Sequence, residues 1–141
     1  MQRWVTGLGV VLVIVLVIVQ FIPVERSNPP ERGEPPGPGE VQALLRRACF
    51  DCHSNETQWP WYASIAPVSL VIGRDVKNGR KEVNFSTWEN YDNRRKARKL
   101  QEIAKEVSKG DMPLFYYLPL HPEAKLTAAE RELIVKWAKQ G

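Results

Sequence analysis

The chain has 141 residues, 43% of them hydrophobic, a formal net charge of +4 and two cysteines. That length holds one domain, the charge is too small to argue for nucleic acid, and two cysteines three apart build neither a disulfide framework nor, unaided, a zinc site. An apolar block near the N-terminus inflates the hydrophobic fraction. Residues 40–141 carry 17 basic and 13 acidic side chains, and a domain of that size gains from a cofactor that binds only its folded state.

In chain order, Trp4 to Val24 carries no charged side chain and includes the unbroken apolar run Val10 to Val19. About 20 such residues match the roughly 30 Å hydrocarbon core of a bilayer, and lipid enforces a helix despite the β-branched content. Residues 1–24 are therefore expected to form a transmembrane anchor. Gln20 to Glu25 offers no small-x-small site, which argues against a cleaved signal peptide. Arg3 and the amino terminus precede the run, while Glu25 and Arg26 cancel just after it. The rule that positive flanks stay inside then puts the N-terminus in the cytoplasm and the remaining chain outside. Residues 25–39 read as a linker: from Pro23 to Gly39 there are six prolines and three glycines among 17 residues. Such a stretch forms neither helix nor central strand, and is expected to space a domain, residues 40–141, off the membrane.

Val41, Leu44, Leu45 and Ala48 recur at i, i+3, i+4 and i+7 and predict a helix running directly into Cys49. Pro67 suits the first turn of a second helix with Val68, Val71, Ile72 and Val76 as its stripe, which Gly73 weakens. Ser86 and Glu89 have capping-box spacing around Trp88. Asn93 to Lys109 reads as a longer helix, with Leu100, Ile103, Ala104 and Val107 inward and Gly110 as its stop. Thr127 and Glu130 form a capping box that opens a last helix, lined by Leu133, Ile134 and Trp137, reaching Gly141. No stretch alternates convincingly, so the expected fold is all-α with substantial loops.

The chemistry lies in Cys49-Phe50-Asp51-Cys52-His53. Two thiols and an imidazole at i, i+3 and i+4 share one face of a helical turn and can address one flat object. Haem c asks for that set: two thioether bonds and an axial nitrogen on iron. The pattern is short, but behind an export signal it points to haem c as the cofactor. The rival is a thiol–disulfide oxidoreductase, whose motif normally follows a strand, whereas here a helix precedes it. For the sixth iron ligand, Met112 is the only methionine besides Met1, and His121 is the only other histidine. A loop methionine stiffened by Pro113 suits a distal ligand, its bland role being to fill a core gap; His121 is the alternative. Trp59, Pro60, Trp61 and Tyr62 are expected against the porphyrin, with an indole or phenol reaching a propionate, and Tyr116 and Tyr117 as further walls. The basic run Arg94, Arg95, Lys96, Arg98 and Lys99 is either a solvated helix face or a dock for an acidic redox partner.

A helix, Cys-x-x-Cys-His, loops, a Met-Pro segment and a closing helix, in that order, resemble class I cytochromes c. Cys49 to Tyr62 (CFDCHSNETQWPWY), Ala66-Pro67-Val68-Ser69, Asn84-Phe85-Ser86-Thr87-Trp88 and Leu120 to Leu126 are similar, more specifically, to the bacterial haem-binding domain family of small exported cytochrome-like proteins. The likeness covers essentially Val41 to Gly141. It implies a cytochrome c-like helical domain around covalently bound haem. With the anchor, it implies a single-pass protein of a bacterial inner membrane whose C-terminal domain lies in the periplasm or outside the cell. With His53 and Met112 both on iron no position is open to substrate, so electron transfer with redox protein partners is expected rather than catalysis. The alternatives are a sensor or peroxidase-like enzyme with an open or displaceable sixth position, and a structural subunit whose haem holds the fold.

Overall fold

The computed structural model describes residues 2–141, the side chains of Gln2, Arg3 and Val5 excepted, so the charges expected at Arg3 and the amino terminus lie outside the described residues. Six α-helices and three short 3-10 turns follow one another, and the described residues contain no strand, as the sequence pattern predicts.

Helix α1 spans Gln2–Val19. The chain leaves it through tight turns, the amides of Gln20, Phe21 and Ile22 bonding back to Val17, Ile18 and Val19. Among the described residues, no helix is long and apolar enough to cross a membrane. The uncharged run continues to Val24, but its helical part stops at Val19 and covers only about 24 Å at 1.5 Å per residue. Val10 to Ile18 are nonetheless all exposed.

The segment expected as a spacer instead lies along the domain. Pro35 is fully buried, Trp137 donates its indole N–H to the Pro36 carbonyl at 3.0 Å, and Asn55 donates to the Glu31 carbonyl at 3.2 Å. Arg80 reaches the Ser27 carbonyl at 2.8 Å and the Asn28 side chain at 2.8 Å. A proline-rich chain has few conformations to lose, so such contacts hold it at little entropic cost.

Helix α2, Gly39–Ala48, buries Val41, Leu44, Leu45 and Ala48, the face its periodicity predicts. It passes through Cys49 into the single turn α3, Phe50–His53. Helix α4, Val68–Glu82, starts after Pro67 as expected, but of its predicted stripe only Val76 is buried. Its exposed members face a cavity rather than a packed core. The turn around Trp88 is present as a 3-10 turn, Phe85–Asn90, but the cap differs: the Asn84 side chain accepts from the Ser86 amide at 3.0 Å. The Ser86 hydroxyl serves elsewhere, accepting from the Asn55 amide at 2.9 Å. Helix α5, Asn93–Lys109, is capped by Asp92 and ends at Gly110 with φ 83°. Helix α6, Ala128–Gln140, opens with the expected Thr127–Glu130 capping box.

Helices α5 and α6 pack together, α2 packs on α6, and α3 packs on α4. The core gathers α2, Phe50, Phe85, Trp88, Tyr91, α5 and α6, with Phe50 stacked on Phe85 at 5.3 Å. This core forms one wall of the cavity; α4 and residues 57–62 and 112–121 supply the others.

Candidate functional site

Cys49, Cys52 and His53 all line a cavity of about 650 Å³, within the usual range of roughly 300–1,000 Å³ for cofactor sites. Its walls are mainly apolar, among them Leu45, Val71, Ile72, Val76, Ile103, Val107 and Leu114. The turn bearing the motif is held from both ends. The His53 amide bonds the Cys49 carbonyl at 2.9 Å. Beyond it, the Ser54 hydroxyl donates to Phe50 O at 2.7 Å, Thr57 donates to Asp51 O at 2.7 Å, and Asp51 Oδ1 accepts from the Gln58 amide at 2.9 Å. Asn84 donates to Asn55 at 2.8 Å. These bonds account for the Ser-Asn-Glu-Thr that follows the histidine and for the distant Asn-Phe-Ser: together they clamp the loop.

Helix α4 sets the orientation of His53. Its Nδ1 lies 2.9 Å from the Gly79 carbonyl and 3.1 Å from the Val83 carbonyl. Carbonyl oxygens only accept, so Nδ1 carries the proton and Nε2 keeps the lone pair. Burial holds His53 below the ordinary imidazole range, against the pull of the two carbonyls. A neutral imidazole with Nδ1–H on backbone oxygen is the form that ligates a metal. Gly79 makes this approach possible: a Cβ there would overlap the Cys52 carbonyl oxygen and lie 2.9 Å from its carbon.

Both cysteines are free thiols. Burial pushes each up to about 12, with neighbouring Cys52 adding to the effect at Cys49 and Asp51 at Cys52. A redox dithiol works through a thiolate of lowered pKa in an electropositive setting. This pair has the opposite environment.

On the far wall, the left-handed turn at Gly110 reverses the chain and delivers Met112 to the cavity lining. Arg131 fixes this segment by donating to the Met112 carbonyl at 3.0 Å and the Val107 carbonyl at 3.2 Å. Tyr117 spans the cavity to donate to Asp51 Oδ2 at 2.6 Å, and Tyr116 donates to Asp75 at 2.9 Å. Burial and the Asp51 contact raise the Tyr117 phenol, which stays protonated and keeps donating. His121 also lines the cavity, but both its nitrogens are engaged. Nε2 lies 2.7 Å from the Tyr62 hydroxyl and Nδ1 3.1 Å from Glu123, while the ring stacks on Tyr117 at 4.0 Å.

The aromatic run divides. Pro60 and Tyr62 line the cavity, whereas Trp59 and Trp61 do not. The backbone is extended at Pro60, and in extended chain neighbouring side chains face opposite ways. Trp59 keeps a buried indole N–H with no partner among the described residues, and Trp61 is 77% exposed. The basic run is not one solvated face either. Lys99 is buried in the cavity wall, 2.6 Å from Glu102 and 3.9 Å from Glu82. Lys96 pairs with Glu89 at 3.3 Å, and Arg95 lies over the Tyr91 ring at 4.2 Å.

Sequence reasoning missed Gly79, Asp51 and Lys99. Nothing local marked the first, whereas Asp51 sits inside the motif and Lys99 falls one residue before Leu100 on the inward face of α5. The donor set and the cavity fit the expected haem: two neutral thiols and an imidazole lone pair on one turn, Met112 elsewhere in the same lining, and mainly apolar walls. Compared with known proteins, residues 14–140 match the profile of a family described as a haem-binding domain. Neither a curated protein nor a solved structure matches the chain.

Proposed function

This chain belongs to the haem-binding domain family, and from that premise we propose that it is a membrane-anchored c-type cytochrome whose work is electron transfer on the periplasmic side. The observation that carries the reading is the state of His53. Its Nδ1–H is committed to Gly79 and Val83, on the same turn as two thiols that burial keeps protonated. In this reading Cys49 and Cys52 would hold haem by thioether bonds, and His53 Nε2 and the Met112 sulfur would ligate its iron. Bound there, haem supplies a one-electron iron couple, and methionine ligation raises its potential.

The remaining residues position and enclose. The engagement of both His121 nitrogens favours Met112 as the sixth ligand. Tyr117 and Arg131 hold the Met112 segment across the cavity, which favours a closed carrier over a sensor or peroxidase. The exposed apolar surface of α1 favours lipid as its surroundings, with redox proteins as the partners of the domain.

Denaturing electrophoresis of the full chain with haem staining tests the attachment. A stained wild-type band and an unstained Cys49→Ala, Cys52→Ala band are expected; a double variant that still stains sinks covalent attachment. Visible spectra of the same preparation test the ligands. Rapid carbon monoxide binding by wild-type protein would turn the reading toward the sensor or enzyme.

A further inference from the structure

Outside α1 and the turn after it, the large exposed hydrophobic side chains fall in only two stretches among the described residues, 61–71 and 115–120. Trp61, Ile65 and Val68 come from the first; Phe115, at 82% exposure, Tyr116 and Leu120 come from the second. Two bonds stitch these stretches into one face: Tyr62 to His121 at 2.7 Å, and Tyr116 to Asp75, on α4, at 2.9 Å. Val68, Tyr116 and Leu120 also line the cavity, so its mouth opens within this apolar face.

The same face is fastened to the end of α1. The Gln20 side chain donates to the Ala66 carbonyl at 2.9 Å and accepts from the Ala66 amide at 3.0 Å. Val24 packs directly on Gly73 of α4, and Arg26 bonds Ser64 and the Ala63 carbonyl. Thus the domain does not swing freely below the helix.

We infer that this face is a lipid-binding surface: the apolar edge formed by residues 61–71 and 115–120 sits in the headgroup and upper acyl region of the membrane that α1 enters. The inference rests on the reading of α1 as an anchor, and the shortness of α1 strengthens it. A helix shorter than the hydrocarbon core thins the bilayer around it, which brings the headgroup region onto its flanking segments. Here the flanking segment is the uncharged turn Gln20 to Val24, bonded directly to Ala66 and packed on Gly73. Whatever depth the turn takes, residues 61–71 take with it. Trp61 and Tyr116 are the side chains that settle at such a boundary, with an apolar ring and a polar edge. The cavity mouth then faces the bilayer, and the redox partner that reaches it is a membrane-bound protein rather than a freely diffusing one.

The test uses the haem-loaded full chain in protein-free vesicles of phosphatidylcholine and phosphatidylglycerol, doped with a phosphatidylcholine carrying a photoactivatable diazirine near the headgroup end of its acyl chain. After irradiation, lipid adducts are mapped by peptide mass spectrometry. Adducts are expected on α1 and on peptides covering residues 61–71 and 115–120, and absent from α6. Gln20→Ala should reduce those on 61–71 several-fold while those on α1 persist. Adducts on α1 alone overturn the inference, leave the anchor standing, and assign the face to a protein partner or a second copy. An absence of adducts on α1 overturns the anchor and the inference together.

Discussion

Replacing Gly79 with alanine separates two opposed effects of known sign. In a helix interior, alanine is favoured over glycine by about 1 kcal/mol, so local propensity alone makes Gly79→Ala stabilising. The new Cβ, however, would overlap the Cys52 carbonyl oxygen, lie 2.9 Å from the Cys52 carbonyl carbon and 3.1 Å from its Cβ. Backbone atoms cannot turn aside, so α4 and the motif turn must separate by about 0.5 Å or more to restore ordinary contact. Overpacking of this kind costs about 1–3 kcal/mol. The same separation stretches the 2.9 Å bond from His53 Nδ1 to the Gly79 carbonyl, and losing a buried bond costs about 1–3 kcal/mol. The net expectation is a destabilisation of about 1–5 kcal/mol, and for a domain of this size each kcal/mol lowers the melting temperature by roughly 4–8 °C. Urea titration of the haem-free chain in detergent micelles, followed by tryptophan fluorescence, measures it. A variant as stable as wild type, or more stable, refutes the close-approach reasoning.

Four further outcomes follow from the site. The folded thiols titrate near 12, against an ordinary 9.0. The unfolded chain therefore loses these protons first, and the haem-free protein loses stability as pH rises above about 9. Protein whose sulfurs are in thioether bonds lacks this loss, so equal alkaline destabilisation of both forms in urea titrations tells against covalent attachment. On the acid side, His53 titrates below its ordinary 6.5; the unfolded chain takes up that proton first, and stability of the haem-free chain falls as pH drops through about 6.5. Met112→Ala should abolish the weak long-wavelength band of methionine-bound ferric haem and lower the potential; an unchanged spectrum excludes Met112 as ligand. Tyr117→Phe removes the 2.6 Å bond to Asp51, at about 1 kcal/mol in stability. It should speed carbon monoxide binding to the reduced haem-loaded protein in stopped flow, and an unaltered rate shows that this bond does not hold the Met112 segment.

Local patterns carried most of the fold and the near half of the site. The i, i+3, i+4, i+7 face of α2, the glycine stop of α5 and the capping box of α6 are each written within one turn or one helix face, and all three are present. Cys49, Cys52 and His53 share a turn, so their common address on the cavity was legible too. What escaped depends on partners far along the chain. Trp59 looked like a wall of the site, yet extended backbone turns it away. Ser86 looked like a cap, yet Asn55, 31 positions earlier, takes its hydroxyl. The proline-rich segment looked free because its composition says only that it forms no helix; the contacts that hold it come from Asn55, Arg80 and Trp137.

Helix α4 joins the two halves of the proposed function. Read along the sequence, Gly73 is a weakness in an otherwise ordinary amphipathic helix, and Gly79 repeats it six residues later. Read in space, each glycine marks a close approach from a different side: Val24, at the exit from α1, packs on Gly73, and the Cys52 carbonyl packs on Gly79. Arg80, the next residue, donates to Ser54 O at 2.7 Å and to Thr57 and Asn28, tying the loop after His53 to the segment that leaves α1. The side-chain constraint at Gly73 is the softer of the two, since a valine methyl can move and a backbone carbonyl cannot. This helix thus touches the exit of α1 at one glycine and orients His53 at the other, joining the cavity wall to α1 by direct packing. Electron transfer falls off with distance, so a carrier whose partner lies in the membrane gains more from such a fixed mount than from a long free tether.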